Sequence, residues 1–582
     1  MGAIYYVYPE YKVGRFTPVP DGFVPFYMSH YGRHGSRWLT SDARYEWIIE
    51  QFSDEDNLTK AGKKTAKMLQ IVWQQARGNG GKLSPIGARQ HEEIARRMAL
   101  RFPELFSSES EIEAFSSVSD CCVKSMQAFC RGLDDDQRKR KVEQHADSAD
   151  MTWIAYKSPE LEAWQKTVHP PRRLGNERFI SALFKDPSRV QDAEKLMTEL
   201  HAVASDMQDV GLKLDFYQLF TEEELRDIYE QNNLRMWLSN GQAPDNYGVT
   251  QRSAVSLWHN IKAQAERALQ GNLAATLRFG HDTPLYRLLA LLGPDNLSDE
   301  QTDEMDEVIP MAANLQIVFY YNPDKAQMPL NPQQVIVKFM HNEREIRLFK
   351  VRSLDVGPDG KTGYYYRWDH VLAYVEKRIA NAEAQGHMAI LNTFVGTDYA
   401  VTPSLSRYGK GTEEHGQTLP AVLEPNGMTF WTPQTQDGEQ KCVAPYYYRD
   451  EKLQGFRGSH WLVGGCTQDY GSFTLMPLMD SLRLKPVDRA TCFNHADEIA
   501  HPDYYAVSLP DEHLKAEMTG MSHAAMFRFT YQKDGKAYVV VNTNNNHGEG
   551  LVAVDTVRNS IYGYNPVHRI YQGWGEKAGF NG

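Results

Sequence analysis

Near residue 385 the pattern of the chain changes, and that change limits the fold more than any other feature. Before it, short apolar runs alternate with longer amphipathic stretches; after it, apolar runs stay short and turn residues separate them. The first pattern predicts an α/β layer structure, and a train of short strands without intervening helices predicts a β-sandwich. One core does not satisfy both, and 582 residues exceed the usual size of a single core. The expectation is an α/β domain over residues 1–386, followed by an all-β sandwich over 387–582.

Within the first region "FVPFYMS" and "AATLRFG" read as buried strands, with "NLQIVFYY", "QVIVKFM" and "EIRLFKV" as later ones. "SPIGARQHEEIARRMALRF" predicts a helix: Ser84 caps it, Pro85 suits its first turn, and Ile94 and Met98 share a face. Residues from about 134 to 270 are charged and helix-rich, which predicts a helical insertion within the α/β core. "WDHVLAYVEKRIANAEAQG" predicts a closing helix that stops at Gly386. In the second region "HLKAEMTGMSHAAMFRFTYQ" and "KAYVVVNT" flank "KDGK", a hairpin signal. "SFTLMPL", "YYAVSL" and "GLVAVDTVRNSIYGY" continue the strand series.

Composition narrows the function classes. Hydrophobic residues make up 41% and charged residues 24%, a balance suited to packed cores. A net charge of -12 argues against general affinity for nucleic acid or anionic membranes. No run of 18 apolar residues is present to span a bilayer, and "MGAIYYVYPEYK" lacks the charged-then-apolar pattern of a signal peptide. The six cysteines form no zinc-like CxxC pair, and no HExxH occurs, so the cysteines do not settle the redox compartment. "GPDGKT" ends like a phosphate-binding loop, but Asp355 stands where that loop needs its first glycine; a turn is expected instead.

The stretch "YMSHYGRHGSRWLT" places Arg33, His34 and Arg37 directly after a buried strand. Ligands gather beyond the carboxyl ends of strands in α/β folds, and guanidinium groups match phosphate oxygens two at a time. Nearby positive charge also biases a histidine toward its neutral, nucleophilic form. From these residues alone, surface charges around a loop histidine remain an equal alternative. The segment "LRFGHDTPLYRLLALLG" repeats the geometry: a strand ends in Gly280, His281 and Asp282 before a helix. Together the segments hold the parts of phosphoryl transfer through an enzyme nucleophile: a nucleophile, cationic clamps and an acid. Asp282 also suits the N-cap of the following helix.

The two segments resemble the histidine acid phosphatase family, in the branch of phytases and multiple inositol polyphosphate phosphatases. "RHGSR" matches its nucleophile motif and "HD" its proton-donor motif; "KSMQAFCRGL" and "PMAANLQIVFYY" support the match. The resemblance implies that His34 is the nucleophile, that Arg33, Arg37 and His281 bind phosphate, and that Asp282 protonates the leaving oxygen. It implies no cofactor, a phosphomonoester substrate such as an inositol or sugar phosphate, and an acidic rate optimum. One position departs from the family pattern: "SSVSDCCVKSMQAF" has Cys121 where a further phosphate-binding arginine is usual. Losing a hydrogen bond to a charged group costs roughly 1.5–3 kcal/mol, or about ten- to a hundred-fold in rate. Lys124 is expected to point elsewhere.

The β-rich region is similar to the N-terminal sandwich of glycoside hydrolase family 92, calcium-dependent inverting α-mannosidases. The resemblance rests on "VGTDYAVTPSLSRYGKGTEEHGQTLPAVLEPNGMTFWTPQT", "LQGFRGSHWLVGGCTQDYGSFTLMP" and "NPVHRIYQGWGEKAGFNG". It places Gly396, His415, His460, Trp461 and Asp469 in loops that contribute to a sugar pocket, although simple loop packing also explains such residues. In that family the acid, the base and most calcium ligands come from a following helical barrel. An inverting glycosidase needs two placed carboxylates, so no mannosidase activity is expected of this chain, and calcium is implied only with the barrel. The expected whole is a phosphatase fused to part of a mannosidase, either a fragment of a longer fusion or a natural truncation, exported to a bacterial periplasm or cell surface. The alternatives are an inactive phosphosugar- or glycan-binding protein and a truncated mannosidase awaiting a missing domain.

Overall fold

In the computed structural model, described residues are 5–9, 16–134, 139–168, 175–243, 246–271, 273–295, 308–348, 351–355, 363–389, 391–398, 416–424, 427–436, 444–460, 472–544 and 550–565. The chain divides into two compact units, Met1–Gln385 and Gly386–Gly582.

The first unit is built on one mixed sheet. Its strands are β1 (Val24–Arg33), β2 (Glu111–Ser116), β3 (Val142–His145), β4 (Leu273–Gly280), β5 (Asn314–Tyr321), β6 (Val335–His341), β7 (Arg344–Ile346) and β8 (Tyr365–Arg367). They lie in the order β3-β2-β4-β1-β5-β6-β7, with β8 also on β6. Strands β3, β2, β4 and β1 run parallel, whereas β5 pairs antiparallel with β1. Both faces of β1 are buried, as expected of a strand covered by helices on two sides. Tyr27 and Tyr31 enter one core with Trp258 and Trp368, while Met28 enters another with Ile94, Met98 and Phe129.

The helix Pro85–Arg101 forms as the sequence predicts: Ser84 Oγ accepts the Gly87 N–H at 3.1 Å, and Ile94 and Met98 are buried. Between β3 and β4 lies a set of helices, including Ala193–Val210 and Glu222–Asn240, as the charged stretch predicted. Two details differ. Among the described residues, "EIRLFKV" enters a strand only at Glu345 and Ile346, within Arg344–Ile346, and the closing helix runs from Trp368 through Gly386 to Ala389. A glycine costs a helix about 1 kcal/mol relative to alanine, which does not force a stop.

The second unit contains two four-stranded antiparallel sheets. One orders β18 (Ala537–Asn542), β12 (Phe473–Met479), β11 (Gly455–Ser459) and β9 (Phe430–Gln434); the other orders β14 (Ile499–His501), β15 (Tyr504–Leu509), β16 (Leu514–Gly520) and β17 (Ala525–Tyr531). Phe456, Met476 and Leu478 of the first sheet share a core with Tyr505, Val507 and Met518 of the second, which makes a sandwich. Short pairs β10 (Lys452–Leu453) with β13 (Thr491–Cys492), and β19 (Leu551–Asp555) with β20 (Ser560–Tyr564), complete it.

The predicted hairpin across "KDGK" is not formed. Strand β17 pairs with β16 and β18 pairs with β12, so the turn crosses between sheets. It is held at the end of β12 instead, by Lys533 Nζ to Asp480 at 2.9 Å and the Asp480 N–H to Lys536 O at 2.8 Å. Turn chemistry permits a reversal but does not choose the partner strand; the apolar faces do.

Candidate active site

Strand register builds the site. In the parallel pair β1–β4, Arg33 lies opposite Gly280, so both strands end at the same level. The His34 N–H then donates to Gly280 O at 2.9 Å, and the Arg33 N–H donates to Ala313 O at 2.7 Å on the antiparallel side. Strand β2 ends beside β4, where the Ser117 N–H donates to Phe279 O at 3.0 Å, and the helix Asp120–Leu133 starts there. Three strand ends and one helix N-terminus therefore converge where the strand direction reverses, the usual place for a ligand.

Two glycines permit the close approach. A Cβ on Gly35 would lie 2.5 Å from Gly87 O, and one on Gly280 would lie 2.1 Å from the Tyr31 hydroxyl. The loop after β1 thus presses on the first turn of the helix Pro85–Arg101, and Tyr31 fits beneath the "HD" turn.

The protonation of His34 follows from its partners. Its Nδ1 lies 3.0 Å from Gly35 O, which only accepts, so Nδ1 carries the hydrogen. Its Nε2 accepts from Arg37 Nε–H at 3.2 Å and keeps its lone pair. Burial, then Arg37, Arg33 and His281, hold the imidazole well below its ordinary pKa. The result is a neutral histidine with a nucleophilic nitrogen facing a cation.

The other expected residues surround it. Arg33 is buried, with one NH2 group donating to Ile309 O at 2.6 Å and the other 3.3 Å from an Asp282 oxygen. The His281 ring centre is 5.6 Å from that of His34. His281 Nε2 lies 3.4 Å from Ser117 Oγ, 3.3 Å from Ser119 Oγ and 3.7 Å from Cys122 Sγ. Asp282 is the first residue of the helix Asp282–Leu292, and His281 is its N-cap, which corrects the capping role expected for the aspartate. Burial raises the Asp282 carboxyl, but Arg33, His281 and the Thr283 N–H outweigh it, so its pKa falls below the ordinary value. The carboxyl is therefore ionised at neutral pH.

Cys121 is buried in the first turn of the helix Asp120–Leu133, facing Arg37. Contact with Cys122 lowers the pKa of its thiol against the opposing effect of burial, and Arg37 adds to the lowering. Cys122 instead donates its S–H to Gly280 O at 3.2 Å. Lys124 pairs with Asp120 at 2.9 Å on the exposed face, so it supplies no replacement cation. Sequence reasoning missed the polar layer beneath the loop, formed by Ser36, Gln90, Asp206 and Asp209. No motif signals it, because its members come from three distant segments.

In the second unit Gly396 takes a positive φ of 84° in a turn closed by Thr418 Oγ1 to Val395 O at 2.7 Å, and His460 Nε2 lies 3.2 Å from Thr429 Oγ1. His415, Trp461, Asp469 and the "GPDGKT" segment lie outside the described residues. Among the described residues no cluster of three His, Cys, Asp or Glu side chains suits a metal ion, and no helix is long and apolar enough to cross a membrane.

Comparison with known proteins agrees with this division. Residues 408–581 match the glycosyl hydrolase family 92 N-terminal domain, and residues 32–342 match branch 2 of the histidine phosphatase superfamily. Multiple inositol polyphosphate phosphatase 1 of Gallus gallus is 24% identical over 306 residues, covering 46% of this chain and 67% of that protein. The Bifidobacterium longum multiple inositol polyphosphate phosphatase, solved with phosphate, shares the fold at a TM-score of 0.50. It is 17% identical, with 65% of this chain and 98% of that chain covered. A family GH92 inverting mannosidase from Bacteroides thetaiotaomicron is 30% identical over 30% of this chain and 22% of that one, with a TM-score of 0.26. With the nucleophile loop and the "HD" turn both inside a match that spans more than half of its length, the chain belongs to branch 2 of the histidine phosphatase superfamily.

Proposed function

We propose that the first unit is an acid phosphomonoesterase that works through a phosphohistidine at His34. The carrying observation is the neutral, buried His34 whose Nε2 lone pair faces Arg37 at the junction of β1 and β4. In this reading Nε2 attacks phosphorus in line with the departing ester oxygen. Arg33, Arg37 and His281 hold the three other oxygens, and Asp282 donates a proton to the leaving alkoxide. Water then cleaves the N–P bond, with Asp282 acting as base. Two guanidinium groups match the dianion, so the step is written without a metal.

The Arg33–Asp282 pair sets the pH dependence. A bound dianion competes for Arg33 and adds negative charge beside the carboxyl, which favours its protonated form. Acid is therefore needed to load the proton, and the rate optimum falls below neutrality. Inositol polyphosphates are the first substrates to test, since the two relatives named above for the first unit are multiple inositol polyphosphate phosphatases; sugar phosphates come second. The family 92 sandwich supports the further idea that the unit holds a mannose-rich glycan whose phosphate the first unit removes, in a periplasm or at a cell surface. Calcium and mannosidase chemistry belong to a catalytic domain that the family match does not include.

The test is phosphate release from an aryl phosphate at acidic pH, with His34→Ala alongside. Loss of release in the variant supports the proposal; equal release from both contradicts it. Cys121 favours one second reading, a phosphosugar-binding protein with lost turnover. That reading predicts phosphate binding but no release from either form.

A further inference from the structure

The insertion helix Ala193–Val210 carries Asp206 and Asp209 one turn apart, both completely buried. Asp209 Oδ1 accepts from Ser36 Oγ at 2.5 Å. Ser36 is further tied to Gln90, through its N–H to Oε1 and through Nε2 to its hydroxyl, both at 2.9 Å. Asp206 Oδ2 accepts from the Tyr45 hydroxyl at 3.0 Å, and that hydroxyl accepts the Leu39 N–H at 3.0 Å. The two carboxyl groups thus hold both ends of segment 36–39, and Arg37 lies between those ends.

Each carboxyl has an oxygen left over: Asp206 Oδ1 and Asp209 Oδ2 have no hydrogen-bond partner. A buried, unsatisfied carboxylate oxygen is costly, and two of them a turn apart repel each other. Arg37 and Arg44 face Asp206; Arg33 and Arg37 face Asp209. Tyr45 touches Asp206, and Tyr217 feels Asp209.

We propose that Asp206 and Asp209 are positioning residues for the phosphate site, clamping the Arg37 segment to the insertion, and that the clamp presents Arg37 to the anion only while both carboxyl groups keep their protons. This rests on the phosphatase reading of the site. Burial pushes Asp206 up to about 7 and Asp209 well above the carboxylate range, so the pair enters neutral solution still carrying protons. Once Asp206 ionises, a buried negative charge competes with the bound anion for Arg37. By linkage, anion binding draws a proton back in.

Sulfate is the probe, because it stays doubly charged throughout the range. The full chain carries Cys121→Ser, which removes the thiol that also faces Arg37. Sulfate affinity is measured by calorimetry from pH 5.5 to 8.5 in two buffers of different protonation enthalpy. We expect affinity to fall up to about tenfold per pH unit above about 7, with up to one proton taken up per sulfate. Asp206→Asn, which still accepts from Tyr45, should flatten the change to less than about twofold over the range. At pH 7.5 the same variant should lower KM for an aryl phosphate more than it changes kcat. An unchanged pH slope in folded Asp206→Asn and Asp209→Asn, or a flat profile in the parent, overturns the clamp. Folded parent that binds no sulfate at any pH overturns the phosphate-site reading beneath it.

Discussion

His30 and His34 stand four residues apart, one in the middle of β1 and one just past its end, and both are buried and biased toward neutrality. Their surroundings differ. His34 has a carbonyl on one nitrogen and a guanidinium on the other. His30 packs on Phe129 and Phe279 at 5.0 and 5.5 Å between ring centres, beside His91, and neither of its nitrogens has a hydrogen-bond partner. A depressed pKa therefore does not by itself mark a reactive histidine. What sets His34 apart is a lone pair that faces a guanidinium at the strand ends, the feature on which its proposed role rests.

Four changes test that contrast, beginning with the largest effect. If His34 is the nucleophile, His34→Ala should cost at least about 10⁴-fold in kcat, as nucleophile loss does elsewhere; single-turnover kinetics would read it. Next, Asp282→Asn should cost about 10²–10⁴-fold with an alkyl phosphate and less with an aryl phosphate, whose oxygen leaves without help. An equal loss with both leaving groups would remove the acid role.

The His30–His91 pair predicts an effect on stability instead. Both are held at about 3, by burial first, against 6.5 unfolded. The unfolded chain binds more protons between those values, so stability is full above 6.5 and falls as pH drops toward 3. The slope is about 1.4 kcal/mol per pH unit for each histidine. Urea unfolding at pH 7 and pH 4.5 should show it, and His30→Leu should remove about half of the slope with turnover chemistry intact. Such a chain would do acid chemistry at some expense to its own fold. The smallest effect is a gain: Cys121→Arg should raise kcat/KM by about ten- to a hundred-fold if the arginine reaches the anion.

These predictions also mark what the sequence could reveal. The nucleophile loop and the "HD" turn were legible because each follows an apolar strand, and parallel register then brings Arg33 opposite Gly280. The reversal at β5 that opens the site was not legible, since a strand fully buried on both faces gives no sign of its direction. The capping role given to Asp282 failed because His281 already occupies that position. The "KDGK" turn failed for another reason: β18 finds its partner in β12, far away in sequence. Asp206 and Asp209 look like ordinary helix-surface acids in "ASDMQDV", and only the packing of the insertion against Ser36 and Tyr45 buries them.

The central claim is that phosphate passes through His34. Incubation with a ³²P-labelled aryl phosphate, a quench in base and peptide mapping would test it most directly. The account predicts an acid-labile, base-stable label on the peptide containing His34, absent in His34→Ala. Turnover that leaves no label on that peptide, or persists in the variant, would contradict it.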